Sequence, residues 1–293
     1  MIPPVWLYAQ DVFWSDPANS SLKYTSDFHL SKPGTDVALV GNAWAPDGQA
    51  VSEMYVYFGV DEKQKALKVS GSRYWANGQI TTPEPFEDMP LVYELAYGGS
   101  HIIEGEEPEY LIEDRNPVGK GFRGKRSNEE IEGMPLPNIE DPNHLIQSPN
   151  DTPPPAGFGF IAAPWQPRLQ YTGTYDEQWQ KTRAPYLPED FDSRFFNCAH
   201  RDLTFDRYLK GGEPVKIRGA SVNGDLDFFV PVCIFTNKVK IAGNVKEPLL
   251  NLETILVEPD EQRLSLTWRA ALPCDKKNLK CEEISIDLAE IQL

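Results

Sequence analysis

Cys198, His200, Cys274 and Cys281 are the residues of this 293-residue chain most suggestive of chemistry, because a Cys-x-His followed by two cysteines supplies the donor set of a structural zinc site. The spacing argues against it. Ligand pairs in such sites stand about two to four residues apart, and the gap between Cys274 and Cys281 is wider. Reduced thiols, with no metal and no cofactor, are the default for four scattered cysteines in a chain of this size. Nucleophilic catalysis needs a serine or cysteine beside a histidine, and only His29, His101, His144 and His200 are available. No glycine-flanked serine elbow and no protease signature surrounds them. Carboxylate pairs offer a third chemistry, glycan cleavage. Glu94, Asp176, Glu189, Asp190 and Asp192 are the candidates, in a chain so acidic that some pairs arise by chance.

The stretch Asp114–Lys125, DRNPVGKGFRGK, looks at first like a phosphate cradle. It fails as one, because Asp114 stands where the first glycine belongs and Gly121 replaces the Ser or Thr that follows Gly119-Lys120. It fails equally as a calcium loop, with Val118 at an oxygen-ligand position and Lys125 in place of the closing glutamate. What remains is a loop built for shape. Pro117 fixes one φ, three glycines permit unusual angles, Asn116 is placed to bond backbone, and Phe122 supplies an apolar anchor.

Strands must position whatever these residues do. From Asp36 to Gly99, β-branched and aromatic runs are separated by Pro46-Asp47-Gly48 and Asn77-Gly78, which predicts an antiparallel meander. From Glu213 the pattern resumes, with turns at Asn223-Gly224 and Pro259-Asp260 and with Leu264, Leu266 and Trp268 alternating with polar residues. Between them, roughly 101–212, lies a segment rich in Pro, Gly and aromatics with neither period, too aromatic to be disordered. A short helix is expected at Asp176–Arg183. The expectation is a single, mostly β domain over 1–293: an antiparallel β-sandwich of strands from about 36–100 and 213–293, with the irregular middle packed across it and one or two short helices.

Composition excludes whole classes of partner. With 44 acidic and 28 basic residues the net charge is −16, so a nucleic-acid backbone would be repelled. No apolar run is long enough to span a bilayer as a helix, and the start lacks the basic region of a secretory leader. A soluble, cytoplasmic protein without nucleic-acid or membrane partners is expected.

The motifs of the irregular segment, taken in order, resemble a known family. They are YELAYGG, with Tyr97, Gly98 and Gly99; NPVGKGF, with Asn116, Pro117, Gly119, Gly121 and Phe122; and LPNIEDP, with Pro137 and Asn138. PAGFGFIAAPWQPR follows, with Phe158, Trp165, Pro167 and Arg168. The last two are GTYDEQWQKTRAPYLPEDFDSRFFNCAHRD, with Tyr175, Asp176, Trp179, Asp192, Phe195 and Asn197, and GGE from Gly211. Together they resemble the domain of unknown function two-one-six-nine, a family of bacterial type VI secretion adaptors. The resemblance implies a non-enzymatic cytoplasmic adaptor or chaperone of a Gram-negative bacterium. Such an adaptor binds an effector carrying a PAAR-like tip domain and helps load it onto the VgrG spike. No appended pentapeptide-repeat region follows, so the adaptor domain alone is expected. The motif residues are candidates for either structural or partner-facing roles, and strand addition at a sheet edge is one route by which a β-rich chaperone takes a client. The alternative function is a carbohydrate-binding or carbohydrate-cleaving β-sandwich using paired carboxylates.

Overall fold

The computed structural model describes residues 7–272 and 281–292, so Cys274 lies outside the described residues. Its largest sheet has five antiparallel strands in the order Ile139–Glu140, Lys63–Ser70, Glu53–Val60, Pro214–Arg218, Leu226–Phe229. Period-two burial organises it. Val56, Phe58 and Val60 point to the core, and across the ladder they meet Leu67, Lys65, Val215 and Ile217 on the same face. Lys65 is thus a cation at an inward strand position.

A second sheet of three strands is centred on Asn251–Glu258, flanked by Arg263–Arg269 and by Asp36–Leu39. Asn251–Glu258 is buried along nearly its whole length, as a strand covered on both faces must be. Its pairing with Asp36–Leu39 is parallel. This corrects the expected meander: Asp36–Leu39 leaves its sequence neighbours to pair with a strand more than two hundred residues on, and only Glu53–Val60 and Lys63–Ser70 form a long N-terminal hairpin. Val37, Ala38 and Leu39 are all fully buried there, and Asp36 enters the same place paired with Lys32. The turns read from sequence are present: Asn77 and Gly78 both have positive φ between Trp75–Ala76 and Gln79–Ile80, and Asn223-Gly224 and Pro259-Asp260 join the paired strands around them.

The two sheets share one core, and the irregular segment supplies much of it. Phe158 packs edge-on against Phe58 at 5.7 Å, its backbone carbonyl accepts from Leu39 N–H, and Trp165 meets Tyr93 edge-on at 6.1 Å. Cys198, Leu203 and Phe205 are buried in the same cluster. The middle segment therefore does not lie across a finished sandwich; it is wedged into the core, because its aromatics are the residues that fill the space between sheets. A smaller apolar cluster of Trp75, Tyr97, Ile131, Leu136 and Ile146 sits under the loops, with Phe122 packed against it. Among the described residues the one α-helix is Glu177–Thr182, with Asp176 capping its start by accepting from Trp179 N–H at 2.8 Å. A third sheet extends from the body, with Val232–Ile241 between Asn244–Lys246 and Cys281–Gln292.

Candidate functional site

Asn116 is the hub of the shaped loop. Fully buried, it donates from Nδ2 to Tyr93 O at 2.7 Å and to Tyr97 O at 3.0 Å, tying NPVGKGF to YELAYGG. The glycines let the two motifs touch. A Cβ on Gly119 would stand 2.6 Å from Ala96 O, and one on Gly121, where φ is 89°, would stand 2.7 Å from Pro137 Cδ. Lys120 Nζ, the cation a phosphate site would need, instead donates to Asn138 Oδ1 at 2.9 Å, and burial holds its pKa below the ordinary lysine value. Asn138 in turn donates to Ser70 O at 2.9 Å.

These braces shape the rim of a cleft of about 570 Å³. Tyr93 comes from the first motif, Asp114 and Arg115 from the loop, and Asp141 and His144 from just beyond Ile139–Glu140. Pro155, Gln166 and Pro167 form another wall, and His200, Arg201 and Asp202 close it. A second cavity of about 290 Å³ adjoins it and shares Ile161, Pro167 and Arg201. Arg168 and Asn197 line that second part. The pair forms one groove walled by the irregular segment.

Lys65, entering from the inward face of its strand, pairs with Asp202 at 3.2 Å. Asp202 N–H donates to His200 Nδ1 at 3.2 Å, so the neutral ring carries its proton on Nε2. Burial, helped by Lys65, pushes the His200 pKa down to about 4 and keeps it neutral at pH 7. Burial pulls the Asp202 carboxyl the other way, yet the surrounding charges, Lys65 among them, leave it below the ordinary carboxylate range. Asp141 is held low too: against burial, it accepts from Asn143 N–H and faces Lys65. Tyr93 is 3% exposed, and its hydroxyl finds no hydrogen-bond partner among the described residues. Burial and the Asp202 charge both raise its pKa, so it is a neutral donor on the cleft wall.

The candidates from sequence divide sharply. Tyr97, Gly98, Gly99, Asn116, Gly119, Gly121 and Asn138 are braces rather than contact surface, as is Phe122, half-buried in the smaller cluster. Pro117 is half-buried beside them, and Pro137 lends its carbonyl to Arg73. Phe158 and Trp165 are core. Arg168 donates to Ile161 O and Phe195 O, with its guanidinium over the Phe195 ring at 5.0 Å. Asn197 donates to Asp36 Oδ1 at 2.9 Å. Only Pro167, Arg168 and Asn197 reach the groove. Tyr175 and Trp179 pack edge-on at 4.7 Å on the separate helical knob. The paired-carboxylate candidates hold structure: Glu94 accepts from Ser21, Asp190 from Thr174, Asp192 from Arg194, and Glu189 faces Arg183.

Cys198 is enclosed in the core. Its thiol is buried beside Lys32 Nζ at 3.5 Å and Asp36 Oδ2 at 3.4 Å, and burial raises its pKa. Cys281 is exposed on the third sheet, and the described residues hold no metal-binding cluster. The residues missed were Lys65, Tyr93, Asp141, Arg201 and Asp202; sequence reasoning weighed His200 only as a zinc ligand or as the histidine beside a nucleophile. The signals were available: a lysine in register with Leu67 and Val69 on an inward strand face, and a His-Arg-Asp triplet inside a quoted motif.

Fold and groove together define a mostly β scaffold whose irregular middle is built into the core and opens a groove lined by both charged and apolar residues. The chain belongs to the family described as "Uncharacterized protein conserved in bacteria (DUF2169)", which matches residues 3–269. No curated protein and no solved structure matches it.

Proposed function

We propose that this protein is a non-enzymatic adaptor or chaperone that binds a type VI secretion effector carrying a PAAR-like tip domain, in the cytoplasm, and helps load it onto the VgrG spike. The observation that carries the reading is the groove. Two adjoining cavities share a wall, the resemblance motifs build that wall, and the charged side chains at its centre are already matched, Lys65 with Asp202 and Arg115 with Glu113. A rigid, charge-balanced groove suits docking of a folded or extended protein surface better than bond cleavage.

The carbohydrate reading rests on Asp114, Asp141 and Asp202 converging on the same cleft. A glycosidase needs one carboxyl kept protonated near neutral pH, and Asp141 and Asp202 are both shifted the opposite way. Among the described residues no tryptophan lines the cleft to stack on a sugar ring. The adaptor reading is the stronger.

Co-expression of the tagged chain with its neighbouring open reading frames, followed by pull-down and mass spectrometry, tests it. Stable recovery of a PAAR-like effector is expected, weakened by Arg201→Glu at the wall shared by the two cavities. Recovery of no effector, with millimolar binding of oligosaccharides to the groove, would overturn the reading.

A further inference from the structure

The third sheet leaves the body as an amphipathic ribbon whose long outer strand is, among the described residues, paired on one side only. Cys281–Gln292 pairs on one side with Val232–Ile241 over ten residue positions. Among the described residues nothing pairs with its other side, which presents a twelve-residue row of backbone donors and acceptors. The register sorts its side chains. Ile284, Ile286, Leu288 and Ile291 stand opposite Val239, Asn237, Phe235 and Cys233 on one face, and Phe235 anchors that face to Trp268 at 5.3 Å. Ile284, Ile286 and Ile291 are nonetheless 63%, 55% and 44% exposed. On the opposite face stand Glu283, Asp287 and Glu290, with Lys240 and Lys238 of the inner strand across from Glu283 and Ser285; the outer strand itself has no lysine or arginine, so the acids are what a further strand would meet directly. Among the described residues no ion pair engages those three acids; Lys240 pairs with Glu282 instead.

An exposed edge with isoleucines along one face is an aggregation hazard unless something covers it. A second copy is a poor cover. Antiparallel self-pairing about the strand centre sets Glu283 against Glu290, and like charges directly opposite destabilise a ladder. The net charge of −16 adds repulsion over the whole approach. The fitting strand carries branched apolar residues on one face and cations on the other.

We infer that Cys281–Gln292 is a docking edge for an extended segment of a partner protein that alternates branched apolar residues with lysine or arginine, added as the next antiparallel strand. The edge strand lies beyond residues 3–269, the part matched by the family, whereas the groove lies within them. This assignment rests on the adaptor reading for the partner's identity, and on the edge alone for its chemistry.

The test uses the full chain with two synthetic twelve-residue peptides, one alternating valine and lysine, the other valine and glutamate. Fluorescence anisotropy measures affinity, and hydrogen exchange locates the contact. At least tenfold tighter binding of the lysine peptide is expected, with slowed exchange confined to 281–292 and its paired strand. The Asp287→Lys, Glu290→Lys double variant should reverse the preference. Ile284→Lys with Ile286→Lys should weaken the lysine peptide tenfold or more while the melting temperature of the body is kept. Equal affinities, protection elsewhere, or an unreversed preference would overturn the inference, as would a stable homodimer protected at 281–292. Recovery of a PAAR-like effector that is indifferent to these variants would retain the adaptor and sink the edge. A reversed peptide preference with no effector recovered would do the opposite.

Discussion

Asn116 and Lys32 show how single polar residues hold this fold from inside. Asn116 donates to the Tyr93 and Tyr97 carbonyls from a fully buried position, so Asn116→Ala should cost about 2–4 kcal/mol, read as a lower midpoint in urea unfolding. Lys32 Nζ meets Asp36 Oδ2 at 2.7 Å and Thr254 Oγ1 at 2.8 Å with no solvent contact. Burial opposes both charges, yet Asp36 holds the lysine above its usual pKa and Lys32 holds the aspartate below. Lys32→Ala leaves Asp36 buried and unpaired, and a loss of about 3–5 kcal/mol is expected. His200 governs acid sensitivity. Its folded pKa of about 4 lies below the unfolded value of about 6.5, so the unfolded state binds more protons between those values. Stability is then lost progressively as pH falls from 6.5 towards 4, by about 3 kcal/mol from this group. His29, also lowered to about 4 but more exposed, adds a smaller loss of the same sign. Thermal melts across that window should show a shallower decline in His200→Gln than in the wild type.

At the scale of elements, the shaped loop and the helical knob separate structural from partner-facing roles. Phe122→Ala removes an apolar anchor from the cluster of Trp75, Tyr97 and Leu136, and a drop of about 2–4 kcal/mol in unfolding free energy is expected. The Glu177–Thr182 knob is different. Trp179 rests on Tyr175 and donates to Tyr186 O at 2.8 Å, all within the knob, while Tyr175 and Tyr186 are exposed. Trp179→Ala should therefore leave the global melting temperature within about 3 °C of wild type, because the knob adds nothing to the shared core. A fall comparable to that of Phe122→Ala would show that the knob is part of the cooperative unit.

For the whole molecule, the arrangement of charge matters more than its sum. Acids dominate the sequence, while the larger cavity of the groove is lined evenly, by Lys65, Arg115 and Arg201 and by Asp114, Asp141 and Asp202. A client that docks mainly in the groove should bind with weak dependence on ionic strength. One that docks on the acidic ribbon edge should lose affinity steeply between about 50 and 300 mM salt, since exposed charges are screened within about 10 Å. Measuring client affinity at both salt concentrations, for the wild type and the ribbon variants, separates the two surfaces.

Local chemistry settled what the sequence by itself determined. Turn dipeptides such as Asn77-Gly78 and Asn223-Gly224, the cap at Asp176 and the period-two runs of Glu53–Val60 depend on neighbours a few residues away, and they fixed the β class, the hairpins and the helix. The failure of phosphate, calcium and nucleophile templates was equally local. Only the tertiary structure decided that Asp36–Leu39 pairs in parallel with Asn251–Glu258, that the irregular segment fills the core, and that Lys65 meets Asp202. Those pairings join residues more than a hundred positions apart, and no periodicity encodes which distant surface a residue will meet. The same reason hid the groove: its lining is a product of close approach between segments, made possible by Gly119, Gly121 and Asn116, and it exists only once they have packed.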